Sequence, residues 1–337
     1  GSIINLYKKN LNEKFNLEQS LDKESWKKVN VLVQISPKED ILPERSKHEQ
    51  RDTYNIGINK ITYKGNLYYF LPDILASKLL NGKSPKIKKA IRFIPKGKQR
   101  GLIKTSICGV KINPNKDNLF CKLVEERQAI KNQMQVVDKD SKQYNFLNAQ
   151  QKALKIINNT ISYGISVEFH PKDEKEDIAV YSNRKFLTSG IYEDPGPFFH
   201  PIVGPNITAG ARLLLAIAEK YVADKGETHY YMDTDSIFVP PHLAKEVSHL
   251  FDSLNPYGFN KAILEIEDGM EDIWFYGICS KRYVLYHIKK SKFIIPESKK
   301  LFYKLHGLGH ISNPFKRKIE SKDSWHKRIW MDILRLH

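Results

Sequence analysis

The sequence predicts an α+β protein in which antiparallel strands pack against helices. Short runs of β-branched and aromatic residues between turn signals indicate strands, and longer stretches with apolar residues three and four apart indicate helices. At 337 residues the chain is long enough for two or three domains, and its 41% hydrophobic content allows a substantial core. These features argue against wholesale disorder.

The chain is strongly basic, with 55 Lys plus Arg against 38 Asp plus Glu and a formal net charge of +17. This excess suits nucleic acid or an anionic membrane surface, although a basic surface that binds nothing is also compatible with it. No apolar stretch has the length of a membrane span, which favours nucleic acid. The cysteines Cys108, Cys121 and Cys279 fit neither a zinc spacing nor a disulfide framework, so we expect a cytoplasmic protein with reduced thiols.

The first elements are predicted as strands followed by a short helix. Residues 25–35 alternate as a strand, the polar stretch after them indicates a loop, and 58–70 predict a hairpin. Asp73 is expected to cap a helix over 74–80, which Gly82 ends.

A dense basic run follows this helix, with Ile87, Ile91, Phe93 and Ile94 placed to anchor it to a core. Its cations are Lys83, Lys86, Lys88, Lys89, Arg92, Lys96, Lys98, Arg100 and Lys104. The run supports binding to a phosphate backbone, and a solvated face is the alternative.

Two helices are predicted next, over 117–137 and 145–158, from their apolar stripes. Arg127 and Lys131 are four residues apart on the first helix and therefore share a face. The second helix carries a polar edge at Lys152, Lys155 and Asn159. The pair could clamp a triphosphate, or it could be a helical hairpin with ordinary surface lysines.

Gly164 is expected to end the second helix, with a strand at 165–169 and a charged loop at 170–185 after it. A helix capped by Thr208 follows. Beyond the acidic motif described next, the pattern predicts a helix at 242–254, strands at 262–266, 273–276 and 278–288, and a final basic helix with Trp325 and Trp330.

Two carboxylates lie two residues apart in the stretch YYMDTDSIFV, at Asp233 and Asp235. The run indicates a strand or hairpin, in which side chains at i and i+2 share a face. Adjacent acids repel each other unless a proton or cation lies between them, and carboxylate oxygens are ligands that Mg²⁺ prefers. A solvated Asp-Thr-Asp turn is the alternative.

Three blocks in this order make the chain resemble a family B DNA polymerase, over about residues 30 to 315. YMDTDS resembles the palm motif Y-G-D-T-D-S, with Met232 where glycine is common. KIINNTISYG resembles the fingers motif K-x-x-x-N-S-x-Y-G, with one extra residue between Asn159 and Tyr163. SKRYVLY resembles the K-K-R-Y element, with Ser280 in place of the first lysine.

The resemblance implies a right-hand fold, with an antiparallel palm sheet, a helical-hairpin fingers subdomain and a partial thumb. The implied parts are the first palm segment with the basic insertion (1–115), the fingers hairpin (116–160), the palm with the aspartate motif (161–288) and the start of the thumb (289–337).

The implied activity is template-dependent addition of deoxynucleotides to a primer 3′ end, with primer–template DNA and deoxynucleoside triphosphates as partners and no membrane. Two Mg²⁺ ions, which Mn²⁺ could replace, are the implied cofactors. The implied site residues are Asp235 and Asp233 as catalytic metal ligands, Lys155, Asn159, Tyr163, Arg127 and Lys131 for the nucleotide, and Lys281, Arg282 and Tyr283 for DNA.

The family's first palm motif, D-x-x-S-L-Y-P-S-I, is represented only by a tail at residues 2–4, and its aspartate is expected just before residue 1. An alternative is therefore a non-catalytic or split subunit, for which a second polypeptide supplies the missing regions. An unrelated nuclease using Asp233 and Asp235 is a third hypothesis.

Overall fold

The structure, a computed structural model, describes residues 15–47, 54–94, 97, 99–171, 193–258, 263–266, 273–279, 281–295 and 322–337. It is a mixed α+β protein with small antiparallel sheets and several helices, as predicted. The chain divides into two compact units, Gly1–Leu213 with Ser253–Lys261, and Leu214–Asp252 with Ala262–His337. The division into palm, fingers and thumb stays a prediction. Among the helices of the described residues, none has the length and apolar character needed to cross a lipid bilayer.

Among the described residues the strands are short and every pairing is antiparallel. In chain order they are β1 (Val31–Ser36), β2 (Ile41–Lys47), β3 (Tyr54–Lys60), β4 (Leu67–Phe70), β5 (Lys86–Arg92), β6 (Thr105–Ile107), β7 (Val110–Ile112), β8 (Phe169–Pro171), β9 (Glu193–Pro195), β10 (Tyr231–Asp233), β11 (Ser236–Phe238), β12 (Trp274–Cys279), β13 (Arg282–Lys289) and β14 (Lys292–Ile294).

The helices range from single turns to 22 residues. They are α1 (Leu17–Ser20), α2 (Lys23–Trp26), α3 (Leu71–Asn81), α4 (Leu119–Gln135), α5 (Lys142–Asn159), α6 (Val203–Asp224), α7 (Ala244–His249) and α8 (Lys322–Leu336).

The largest sheet of the first unit has the strand order β4-β1-β5. Val31, Val33 and Ile35 of β1 are fully buried, and the residues between them are half-buried. Helix α3 packs against β1, β2 and β4, and its Leu71 and Ile74 are also fully buried. Each such side chain contributes about 2 kcal/mol by leaving water, which fixes the helix on this sheet.

The strand predicted over 25–35 begins only at Val31, because the side chain of Asp22 accepts from two backbone N–H groups and caps α2. The loop predicted next is instead the β2–β3 hairpin. The hairpin predicted over 58–70 is wrong, since β3 pairs with β2 whereas β4 pairs with β1. The polar run 44–47 in β2 indicates a loop, although Tyr54, Ile56 and Ile58 of β3 alternate as a strand does.

Gly82 ends α3 in a left-handed conformation with φ 68°, as predicted. Asp73 does not cap the helix, because it lies inside the first turn and is only 4% exposed. Its carboxylate accepts from Nε and Nη2 of Arg212 on α6, at 2.6 and 3.0 Å. In the basic run, Ile87 is buried as expected, but Ile94 is 72% exposed and anchors nothing; Lys96 and Lys98 lie outside the described residues.

Helices α4 and α5 pack together as the predicted hairpin. Leu123, Ile130, Leu147 and Leu154 form its core with residues of β7. Helix α5 begins earlier than expected, because the hydroxyl of Ser141 accepts from a backbone N–H in the first turn and caps it.

The segment after α5 departs from the prediction. Residues 165–167 form a 3₁₀ turn rather than a strand, and β8 begins only at Phe169. The predicted charged loop lies outside the described residues from position 172 onward. Helix α6 begins at Val203, and Thr208 lies inside it rather than at its cap. Pro205 is compatible with this start, because the first helical turn needs no N–H donor there.

In the second unit, β12, β13 and β14 form one sheet. Residues 283–286 of β13 form its buried core with Trp330 and Leu334 of α8. The strand predicted over 278–288 is two strands separated by a turn at Lys281, where φ is 61°. Residues 263–266 form no strand, and the helix predicted over 242–254 is shortened to α7 with a 3₁₀ turn on each side.

Candidate active site

A two-residue turn places the paired aspartates at the tip of the β10–β11 hairpin. Asp233 lies opposite Ser236, so that Thr234 and Asp235 form the turn. Neither turn residue takes a positive φ, which suits the β-branched Thr234. Asp233 therefore ends a strand while Asp235 follows in the turn, and the side-chain alternation of a continuous strand does not apply to this pair.

The carboxylate of Asp233 is held by several donors, and its side chain is only 13% exposed. Oδ1 accepts from the backbone N–H of Thr234 at 2.8 Å and from its hydroxyl at 3.2 Å. Oδ2 accepts from the hydroxyl of Tyr231 at 3.1 Å. Burial by itself raises the pKa of Asp233, but the hydrogen bonds from Thr234 and Tyr231 and the charge of Lys281 outweigh it, so the pKa lies below its ordinary value.

Asp235 differs from its neighbour in its surroundings. It is exposed, and within the described part of the chain it has no hydrogen bond or ion pair. Its oxygens are therefore available to an external ligand, whereas those of Asp233 are already oriented.

The turn between β12 and β13 contacts the β10–β11 hairpin through Lys281. The backbone N–H of Lys281 donates to the hydroxyl of Tyr231 at 3.1 Å, and its Nζ lies 3.6 Å from Oδ1 of Asp233. The ring of Tyr231 is also 4.7 Å from that of Tyr283, measured between centroids. The structure thus brings the SKRYVLY and YMDTDS blocks together inside the second unit.

The three residues predicted to contact DNA differ in exposure. Lys281 is exposed, Arg282 is half-buried and Tyr283 is 3% exposed. The ring of Tyr283 packs among Tyr231, Phe238 and Phe275, and in this conformation it is not presented to a DNA groove. It supports the hairpin from within instead.

On the helical hairpin of the first unit, Arg127 of α4 reaches across to α5. Its Nε donates to Oε1 of Gln151 at 3.3 Å. Partial burial lowers the pKa of the Arg127 guanidinium, which still carries its charge at neutral pH. Gln151 lies one turn before the exposed Lys155 on the same face of α5. Cations from both helices therefore line one side of the hairpin.

The other residues predicted to bind the nucleotide follow Arg127 and Lys155 in the sequence. Lys131 is half-buried on α4, one turn beyond Arg127, and Asn159 is the last residue of α5. The backbone of Tyr163 is described, but its side chain is not.

The extra residue of the KIINNTISYG block coincides with a π-helical turn at Thr160–Gly164. The N–H of Ile165 bonds to the carbonyl of Thr160, five residues back instead of four. A turn of this kind absorbs one inserted residue without unwinding the helix. Gly164 has φ −63° here, so it does not end α5 in the left-handed conformation that its position predicted.

Comparison of the chain with protein-family models, curated proteins and solved structures gave no match. The two clusters must therefore be interpreted from their own chemistry. The aspartates and Lys281 belong to the second unit, and the cations of α4 and α5 belong to the first.

The aspartate cluster fits part of a magnesium site. Carboxylate oxygens are the ligands that Mg²⁺ prefers, and Asp233 and Asp235 provide them at one hairpin tip. Among the described residues, no three His, Cys, Asp or Glu side chains come together as a metal-binding group. The hairpin therefore supplies some of the ligands that an ion would need.

Sequence reasoning missed the residues that orient the predicted ones. Tyr231 and Thr234 hold Asp233, and Gln151 holds Arg127. Tyr231 could have been found from strand alternation, because it lies two residues before Asp233. Nothing in the sequence links Arg127 to Gln151, because the contact depends on how the two helices pack.

Proposed function

We propose that the chain is the palm and fingers part of a family B DNA-directed DNA polymerase. The observation that carries the proposal is the contact between the YMDTDS hairpin and the SKRYVLY turn, through Tyr231, Asp233 and Lys281. These two blocks are far apart in the sequence, yet both were singled out by the same resemblance. On this proposal the α4–α5 hairpin is the fingers subdomain, the second unit contains palm strands, and α8 begins the thumb.

Asp235 and Asp233 would hold the metal ions in this function. Asp233 has a lowered pKa and is therefore ionised at neutral pH, so that it can bind a cation without first losing a proton. Asp235 is exposed, so its carboxylate would be accessible to the primer and the nucleotide. Bound Mg²⁺ would supply charge that activates the primer 3′ oxygen and steadies the leaving pyrophosphate.

The cations of the helical hairpin would neutralise the triphosphate. Lys155 is exposed, and Arg127 is fixed by Gln151 on the same side of the hairpin. Such preorganised charge stabilises the phosphoryl group during transfer. Lys131 would add to it, with Asn159 and Tyr163 lining the nucleotide pocket.

Lys281 and Arg282 would hold the primer–template duplex by its phosphates, contacts that position DNA without reading its sequence. The net charge of +17 agrees with such binding. This function places the protein in the cytoplasm of a bacterial or mobile-element host.

Primer extension with Mg²⁺ tests the proposal. The chain is compared with Asp235→Ala and with Asp252→Ala, an exposed aspartate paired with His249 in the same unit, as the matched control. We expect extension by the wild type and the control, and its loss in Asp235→Ala. Extension that survives Asp235→Ala contradicts the site.

A second outcome distinguishes the split-subunit alternative. If no variant extends a primer but all bind the duplex, the chain needs a second polypeptide that supplies further carboxylates. Among the described residues, no three His, Cys, Asp or Glu side chains form a metal-binding group, and this observation is compatible with the alternative.

A further inference from the structure

One face of the β4-β1-β5 sheet remains open to solvent at one end. Tyr68 lies opposite Gln34, and Gln34 lies opposite Lys89, so the three side chains form a row across the strands on one face. In the next row, Ser36 lies opposite Lys86. We name this set of five residues the open row.

The open row is polar, basic and aromatic. Tyr68 is 50% exposed as a residue, and Lys86 and Lys89 are exposed. The opposite face carries Val31, Val33 and Ile35, all fully buried, so the core lies on that side of the sheet.

The ring of Tyr68 is held in place. Gln34 donates from Nε2 to its hydroxyl at 2.9 Å. A fixed, half-exposed ring loses little conformational freedom when another planar group stacks on it. Its position on a strand of a packed sheet adds to this preorganisation.

Charge decides what kind of partner fits. The open row carries two cations, Lys86 and Lys89, and the three strands contain no Asp or Glu; Arg92 lies opposite Val31 and so belongs to the other face. The surface is therefore complementary to a phosphate backbone. In a duplex the bases are already stacked on one another, whereas an unpaired base can lie on an exposed aromatic ring.

We propose that the open row binds single-stranded nucleic acid, with a base stacked on Tyr68 and phosphates at Lys86 and Lys89. This surface lies within the first unit and contains none of the residues assigned to nucleotide addition. It gives a role to the part of the basic run that the proposed polymerase site leaves unused.

Binding is tested in the Asp235→Ala background without nucleotides or Mg²⁺, so that the result does not depend on polymerase activity. The probe is a fluorescent oligothymidylate, followed by anisotropy over a range of salt concentrations. Tyr68→Ala is expected to weaken binding about tenfold with an unchanged salt dependence, since it removes stacking and no charge. Tyr68→Phe keeps the stacking ring but loses the hydrogen bond from Gln34, so it is expected to weaken binding less than Tyr68→Ala does.

Lys86→Ala with Lys89→Ala is expected to lower the slope of log K against log salt by about 1.4, because each single-strand phosphate contact contributes about 0.7. The matched control replaces Lys27 and Lys28, which lie at the end of α2 in the same unit, with the same loss of charge. Melting curves check that every variant is folded. An equal effect of the control, or no effect of the Lys86 and Lys89 change, overturns the proposal.

Photo-crosslinking locates the base directly. An oligonucleotide containing 5-iododeoxyuridine is expected to crosslink to the peptide that carries Tyr68, and crosslinks only elsewhere contradict the proposal. Two competitors test the chemistry of the partner. Equally strong competition by a duplex, or by polyglutamate of equal charge, would mean that the row recognises any polyanion and would overturn single-strand binding.

Discussion

The hydroxyl of Tyr231 donates a hydrogen bond to Oδ2 of Asp233 at 3.1 Å. The same hydroxyl accepts from the backbone N–H of Lys281, which is 50 residues away in sequence. One phenol therefore orients a carboxylate of the candidate site and fixes the neighbouring turn to it. Its removal should affect both the hairpin and the ionisation of Asp233.

Tyr231→Phe is expected to lower the free energy of unfolding by about 1–2 kcal/mol at neutral pH, since the carboxylate loses a donor. The folded-state pKa of Asp233 lies below the ordinary value of an aspartate, so its hydrogen bonds stabilise the fold above that ordinary value and lose this effect as the pH falls through the folded-state pKa. The difference between variant and wild type should therefore shrink below about pH 4.

Urea unfolding measures this difference, with tryptophan fluorescence as the signal, because three of the four tryptophans, Trp274, Trp325 and Trp330, belong to the second unit. Tyr230→Phe is the matched control, because Tyr230 is 56% exposed. An unchanged stability of Tyr231→Phe would show that the phenol does not hold the carboxylate.

The ion pair between Asp73 and Arg212 provides a second prediction, within the first unit. Arg212→Ala leaves the carboxylate of Asp73, which is 4% exposed, without its bidentate partner. We expect a loss of about 3 kcal/mol, the usual cost of a buried charge left unpaired. The double change Asp73→Leu with Arg212→Met should recover most of it.

Urea unfolding followed by circular dichroism measures the loss. Asp224→Ala breaks the exposed pair with Lys220 on the same helix and serves as the control, with an expected effect below about 1 kcal/mol. Equal effects of the two single changes would contradict a special role for the buried pair.

The elements that the sequence predicted well are those with local signals. The α4–α5 hairpin follows from apolar periodicity, and Leu123 and Leu154 are fully buried as that pattern requires. The end of α3 follows from Gly82. Asp233 and Asp235 are singled out by their spacing in a motif, and their role stays a prediction.

The elements that the sequence predicted poorly depend on distant partners. Asp73 was predicted to cap a helix because it precedes an apolar run. Nothing in the sequence links it to its partner Arg212, which is 139 residues away. The polar residues 44–47 of β2 indicate a loop, although Tyr54, Ile56 and Ile58 alternate along β3, and only the pairing of the two strands shows the hairpin. The charge of Lys281 beside Asp233, and the contact of Arg127 with Gln151, likewise appear only once the elements have packed.

Gln151 gives a test of the proposed nucleotide site. If Arg127 neutralises the triphosphate, Gln151→Ala should raise the KM for deoxynucleotides about fivefold, because the guanidinium loses a hydrogen bond worth about 1 kcal/mol and its fixed direction. Steady-state primer extension measures the change. Gln143→Ala removes an exposed glutamine from the same helix and should leave KM unchanged. An unchanged KM in Gln151→Ala, in an active enzyme, would contradict this positioning role.

Two glycines that both looked like helix ends should respond oppositely to alanine. Gly82 has φ 68° with nothing within 4 Å of an added Cβ, so Gly82→Ala meets backbone strain alone and should cost about 1 kcal/mol. Gly164 has φ −63°, and its Cβ would lie 3.8 Å from the carbonyl oxygen of Asn159, an ordinary contact. Gly164→Ala should therefore stabilise the fold by about 0.5 kcal/mol, through the lower entropy of the unfolded chain.

Thermal and urea unfolding of the two variants measure the contrast, and both glycines belong to the first unit, so the same transition reports on each. A loss of stability in Gly164→Ala as large as in Gly82→Ala would mean that residue 164 ends α5 in the left-handed conformation. The π-helical turn would then be wrong, and the extra residue of the KIINNTISYG block would have to be accommodated elsewhere. Opposite signs would instead place that residue in the wide turn at Thr160–Gly164, where the helix continues into the next segment.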